Sequence, residues 1–259
     1  MTTAVPTHTS RVRLRYDPEE AFPPEGSLTP RSTPDASARS GAATTAPGAA
    51  RPRVLHVGCG GRSPARLHRI FRTRAWHEVR LDIDPAVEPD VVASIIDLRA
   101  VATASCDAIW CSHNLEHLCA HEVATALGEF RRVLAPTGFV LIRSPDLGAV
   151  AEIILAHGLD HVVYRAPAGP ITAADMLYGH AASIAQGNAF MRHGTGFTSE
   201  RLARLLDEAG FARPRTARTA DYTVWAAGFM PNADVARILR ALRRTGLTLS
   251  GATATGVTR

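Results

Sequence analysis

The 259-residue chain contains no lysine; all 29 of its basic side chains are arginine. That absence excludes a phosphate-binding loop that depends on lysine, a pyridoxal Schiff base and a lysine general base. Cysteine is scarce: Cys59 follows an apolar run, and Cys106, Cys111 and Cys119 crowd one short region. This is no disulfide framework, and it suits a reducing compartment. No apolar run approaches the roughly 18 residues needed to span a membrane. The amino-terminal stretch has no apolar core of the kind a signal peptide carries. A cytoplasmic location is therefore expected. The net charge of +5 comes without a dense basic run, so a small molecule, rather than nucleic acid or a membrane, is the expected partner.

Residues 1–50 are rich in Pro, Ala, Ser, Thr and Gly and lack helical or strand periodicity. Such a segment buries too little apolar surface to offset its ordering entropy, so a disordered tail is expected, with one short extended piece at Val12–Tyr16. An ordered domain is expected over 51–229. Its first strand, Val54–Val57, runs into Gly58-Cys59-Gly60-Gly61. Glycine reaches unusual backbone angles and lets a ligand approach the main chain. A helix is predicted over Pro64–Arg74, its amino terminus offering free N–H groups and the positive dipole end to such a ligand. The second strand ends in Asp82, 22 residues past Gly60. In nucleotide-binding α/β folds an acid about 20 residues beyond the glycines holds ribose hydroxyls.

Further strands are predicted at Val91–Ser94, Ala108–Cys111 and Phe139–Arg143, with helices over His121–Leu134 and Leu147–His157. This alternation implies a parallel sheet with helices on both faces, and a ligand beyond the carboxyl ends of the strands. Residues 158–196 break the rhythm and read as a lid or substrate wall. A helix over Ser199–Ala209, capped by Thr198, precedes two closing antiparallel strands, Arg213–Thr219 and Tyr222–Phe229. In the final segment, 230–259, a basic amphipathic helix is predicted over Ala233–Arg244, followed by a loose tail from 246 onward.

His113-Asn114-Leu115-Glu116-His117 spells the inverted zincin pattern, two histidines with a glutamate base. That motif belongs on a long helix with a distant third ligand. Here it begins at the end of a predicted parallel strand, so no metal is expected.

Several segments together resemble the small class I S-adenosylmethionine-dependent methyltransferases of the broad type-11 group. They are Val54–Gly60, Leu81–Pro85, Ile95–Leu98, Cys106–Leu118, Glu129–Gly138 and the Gly196–Phe211 stretch. The resemblance covers about residues 53–229. It implies a Rossmann-like, doubly wound, mostly parallel seven-stranded sheet with a carboxy-terminal antiparallel hairpin, and S-adenosylmethionine as cofactor. By position it implies that Gly58, Cys59 and Gly60 face the methionine part. Asp82, with Ile83 beside it, would hold the ribose. Asp97 and the Leu98 backbone would take the adenine, and Ser112, His113 and Asn114 would line the wall near the sulfonium. The chain departs from the pattern at His56, where the family has an acid, and at Arg62, where it has a third glycine.

Methyl transfer needs mainly alignment of nucleophile and methyl group. A base helps where the acceptor must lose a proton, and His113, His180 and His193 are the candidates. The expected activity is methylation of a small molecule. A non-catalytic cofactor-binding scaffold, or other chemistry on the same fold, remains an alternative.

Overall fold

A computed structural model describes residues 51–251, so the expectations for 1–50 lie outside the described residues. One sheet of eight strands organises them, in the order β10-β8-β9-β5-β4-β1-β2-β3. The parallel half comprises β1 (Arg53–Val57), β2 (His77–Asp82), β3 (Val91–Val92), β4 (Cys106–Ser112) and β5 (Leu134–Pro145). The antiparallel half is β8 (Ala212–Thr219), β9 (Thr223–Phe229) and β10 (Ser250–Gly251). The order reverses between β1 and β4. In open sheets of this kind that switch point opens a crevice at the carboxyl ends of the strands.

Alternation explains how the sheet is buried. Leu55, Val57, Ile109, Cys111, Val140 and Ile142 face one core, which α1 (Val123–Val133) and α5 (Ser199–Glu208) cover. Val54, Trp110, Leu141 and Trp225 face the other, covered by Leu67, Phe71 and the apolar side of α6 (Val235–Arg244). Ile238 and Leu242 are buried on α6 while its arginines stay outside, as an amphipathic helix requires.

Three expectations are corrected. First, no α-helix follows the glycines. Pro64–Arg66 is a single 3-10 turn capped by Ser63, and residues 67–76 continue as tight turns. The cause is local. Arg72 donates from Nε to the Leu67 carbonyl (2.6 Å) and from Nη2 to the Ala65 carbonyl (2.6 Å), so a side chain takes acceptors a helix would use. Phe71 N–H instead bonds His68 O at 2.8 Å, an i→i+3 bond. Three arginines three residues apart, Arg66, Arg69 and Arg72, would also repel along one helix face. Second, the sheet has an eighth strand, because β10 adds to the free edge of β8. Third, residues 246–251 are not loose: Leu247 and Leu249 are buried in the second core. The periodicity of α6 hides this, because these two leucines lie past the helix end.

Residues 158–196 hold a separate hairpin of β6 (Val162–Ala166) and β7 (Gly169–Thr172), then α3 (Ala173–Tyr178) and α4 (Ala181–Ala185). The small cluster of Val150, Ile171 and Met176 ties this insertion to α2 (Leu147–His157). Among the described residues no helix is long and apolar enough to cross a membrane.

Candidate functional site

The carboxyl ends of β1, β2 and β4 meet at the glycine loop. Gly58 and Gly60 have φ of +63° and +57°. A Cβ at Gly58 would stand 2.1 Å from Asn114 Nδ2, so the loop tolerates only glycine there. Asp82 sits at the end of β2, where its Oδ2 accepts from Gly60 N–H (2.8 Å) and its Oδ1 from Asp84 N–H (3.1 Å). The carboxylate thus organises the loop and keeps further acceptor capacity. Ile83 beside it is 46% exposed, an apolar face on the rim.

Arg80 locks this loop from behind. Its buried guanidinium donates to the carbonyls of Gly60, Val87 and Glu88. Cys59 is buried, and that burial pushes its thiol up to about 11, so it is no nucleophile at neutral pH. The two departures from the family pattern have structural answers. His56 is buried and its Nδ1 lies 2.7 Å from Glu78 Oε1, so the acid comes from the neighbouring strand. Arg62 is exposed and leaves the turn uncrowded.

At the end of β4 the chain turns sharply. His113 has φ +49°, a conformation non-glycine residues rarely adopt. Its Nδ1 meets Glu116 Oε1 at 3.2 Å, and Ser144 Oγ donates to Glu116 Oε2 at 2.9 Å. Glu116 is only 1% exposed. Burial alone would raise its carboxyl, but the His113 hydrogen bond and the nearby charges of His113, His117 and His193 hold it down to about 2. His193 bonds the Met176 carbonyl through Nδ1 (3.1 Å), and its ring centroid lies 5.1 Å from that of His117. Burial lowers the His193 imidazole, and Glu116 opposes that shift.

His113 and His193 therefore converge on one buried carboxylate, whereas His180 does not. It caps α4 and bonds Ser183 Oγ at 2.7 Å. Glu116, His117 and His193 bring three ligand-type atoms within 4.8 Å of one another, a convergence the expectation of no metal did not anticipate. Both ring nitrogens of His117 are directed at backbone carbonyls, Arg192 O (3.0 Å) and His113 O (3.1 Å).

Asp97 and Leu98 stand differently from expectation. Asp97 pairs with exposed Arg99 (2.7 Å), which lowers its carboxyl. The Leu98 N–H already donates to Glu129 Oε2 (2.8 Å), and the Leu98 carbonyl accepts from Arg132 Nη2 (2.8 Å). Two helix side chains thus occupy the backbone groups expected to read a ring. Sequence reasoning also missed Arg143 and Trp225. Ser112 pairs in register with Arg143, and Arg143 with Trp225. No local pattern signals a row that strand register alone assembles.

Residues 55–142 match a family model described as a methyltransferase domain. No curated protein matches the chain. Among solved structures, the chain is similar to the Burkholderia thailandensis 1,6-didemethyltoxoflavin-N1-methyltransferase with bound 1,6-didemethyltoxoflavin and S-adenosylhomocysteine. The identity is 18% and the TM-score 0.44, over 70% of this chain and 72% of that one. It is similar to a SAM-dependent methyltransferase from Archaeoglobus fulgidus at 13% identity and TM-score 0.44, over 69% and 86% of the two chains. It is also similar to the complex between the Haloferax volcanii Trm112 methyltransferase activator and the putative methyltransferase, at 14% identity and TM-score 0.48, over 70% and 83%.

Proposed function

We propose that the chain, whose residues 55–142 match a family model described as a methyltransferase domain, transfers a methyl group from S-adenosylmethionine to a small-molecule acceptor. The acceptor lies over the carboxyl ends of β4 and β5. The observation that carries this reading is the His113–Glu116–Ser144 chain, set at the end of β4 directly beside the glycine loop.

The residues of the loop fit the cofactor. Gly58 lets the Asn114 side chain pack against the loop backbone, and Asn114 Oδ1 is a buried acceptor without a protein hydrogen bond among the described residues. Asp82 offers remaining lone pairs to ribose hydroxyls, and exposed Ile83 offers an apolar wall. Cys59 lines the loop as a buried thiol. Asp97 is the acid at hand for an amino group, provided Arg99 yields it; Leu98 contributes only its position. Ser112 and His113 close the wall at the end of β4.

When bound, the cofactor supplies a methyl group on a good leaving group. The protein then has to align the acceptor and accept a proton. Glu116 fixes the Nδ1–H tautomer of His113, the form in which Nε2 is the basic ring nitrogen. Glu116 acts through His113 and is a positioning residue. His193 bears on the same carboxylate, whereas His180 is bonded away from it. The test follows transfer of a labelled methyl group from S-adenosylmethionine into a metabolite extract, for the wild type and His113→Ala. Transfer by the wild type that falls at least about tenfold in the variant, with cofactor affinity kept, is the expected result. No transfer by the wild type refutes the proposed activity, and unchanged turnover in the variant removes His113 as base.

A further inference from the structure

Three residues on neighbouring strands form a line at the carboxyl edge of the sheet. Ser112 of β4, Arg143 of β5 and Trp225 of β9 are register partners. Arg143 and Trp225 are each 8% exposed. Arg143 Nε and Trp225 Nε1 are buried N–H donors with no hydrogen-bond partner among the described residues. A buried donor left unpaired costs roughly 1–3 kcal/mol, so two together on one wall ask for an acceptor. Both border a cavity of about 20 Å³ that Ser112 and Trp110 also line.

The surroundings define the acceptor. Trp110 and Trp225 stack with ring centroids 5.8 Å apart, and the Arg143 guanidinium lies 5.3 Å from the Trp225 ring. His68 closes the wall, 5.4 Å from Trp110 and 5.5 Å from Trp225. Burial, then the charges of Arg143, Arg72 and Arg69, push its imidazole down to about 3, so it stays neutral and adds no competing cation. The acidic partner of Arg143 is Asp221, 3.2 Å from Nη2, which leaves the Nε edge facing the cavity. The cavity exceeds the roughly 10–15 Å³ that holds a water but is too small for a phosphate.

We propose that this pocket binds the carboxylate of a carboxylate-bearing methyl acceptor, one oxygen taking the N–H of Arg143 and the N–H of Trp225. The inference rests on the methyl-transfer reading and names its acceptor class. A carboxylate could also come from the aminoacyl end of the cofactor. Strand spacing favours the acceptor. One residue past the paired ends of β1–β2 and β1–β4, Asp82, Gly58 and Ser112 continue the Arg143–Trp225 line. At about 4.8 Å per strand, Arg143 stands about 14 Å and Trp225 about 19 Å along the sheet from Asp82. Arg66 has its guanidinium against Gly60 and also lines this cavity, so competition with S-adenosylhomocysteine separates the two sources of the carboxylate.

The test uses the full chain saturated with S-adenosylhomocysteine and compares benzoate with its neutral isostere benzamide at constant ionic strength. Calorimetry and the fluorescence of the stacked tryptophans report binding. The expected result is that benzoate binds and benzamide does not over the same range. Trp225→Phe and Arg143→Gln should each weaken benzoate by about tenfold or more, with S-adenosylhomocysteine affinity and far-ultraviolet dichroism unchanged. Equal binding of the two probes, binding of neither, or variants that leave benzoate affinity intact overturns the pocket. Competition between benzoate and S-adenosylhomocysteine, with the variants weakening the latter, overturns it in favour of the cofactor's carboxylate. Benzoate binding without any S-adenosylhomocysteine binding keeps the pocket and refutes the methyl-transfer reading.

Discussion

Replacing Glu116 by Gln keeps the shape of a buried side chain and removes its charge. The native carboxylate is 1% exposed and accepts from His113 (3.2 Å) and Ser144 (2.9 Å). Its carboxyl is held from 4.5 to about 2, burial working against this and the histidine hydrogen bond and charges for it. A depressed native value means that the unfolded chain binds the proton more readily. The stabilisation is therefore complete above the unfolded value and is lost as pH falls from 4.5 through 2. At ~1.4 kcal/mol per unit, the charge contributes about 3 kcal/mol at pH 5.5 and about 2 kcal/mol at pH 3.5. Urea denaturation followed by far-ultraviolet dichroism measures both. The variant should be about 3 kcal/mol less stable at pH 5.5, with the gap narrowing on further acidification. Equal stability at pH 5.5, or a gap that widens toward acid, would refute the reasoning.

Other predictions concern the loop, the second core and the carboxy-terminal strand. Gly58→Ala forces a Cβ to within 2.1 Å of Asn114 Nδ2 at a φ of +63°; stability should fall by about 1–3 kcal/mol and S-adenosylhomocysteine affinity with it, both read in one thermal-shift titration. His68, pushed down to about 3 by burial, binds its proton more weakly folded than unfolded. It should therefore cost stability as pH falls below 6.5, by about 2 kcal/mol at pH 5. His68→Phe should remove that part of the acid sensitivity in denaturation at the two pH values. Leu249→Ala removes a side chain that is 4% exposed and should cost about 2–4 kcal/mol; an unchanged denaturation midpoint would show that the end of the described chain does not pack as seen.

The strands β1, β4, β5 and β9 were legible as short apolar runs, whereas β6, β7 and β10 were not, and the register of β1, β2 and β4 brings Gly58, Asp82 and Ser112 together as spacing implied. Leu147–His157 was legible to the residue, its Asp146 cap accepting from Gly148 N–H at 3.0 Å. The Pro64–Arg74 helix misled because Leu67 and Phe71 have helical spacing, while the side chain of Arg72 takes the backbone acceptors a helix needs. The Arg143–Trp225 row was invisible because cross-strand register joins residues 82 apart in sequence. The Leu98 amide was committed by Glu129, 31 residues on, which no local motif reports. The Glu116 cluster was half visible: the His-Glu-His spacing marks it, but His193 arrives from the insertion.

Calorimetric titration with S-adenosylhomocysteine, for the wild type beside Asp82→Ala, tests the central claim most directly. Asp82 holds the loop through Gly60 N–H at 2.8 Å. The account predicts micromolar binding by the wild type, weakened about tenfold or more in the variant. A wild type that binds neither S-adenosylhomocysteine nor S-adenosylmethionine, or a variant that binds as tightly, would contradict it.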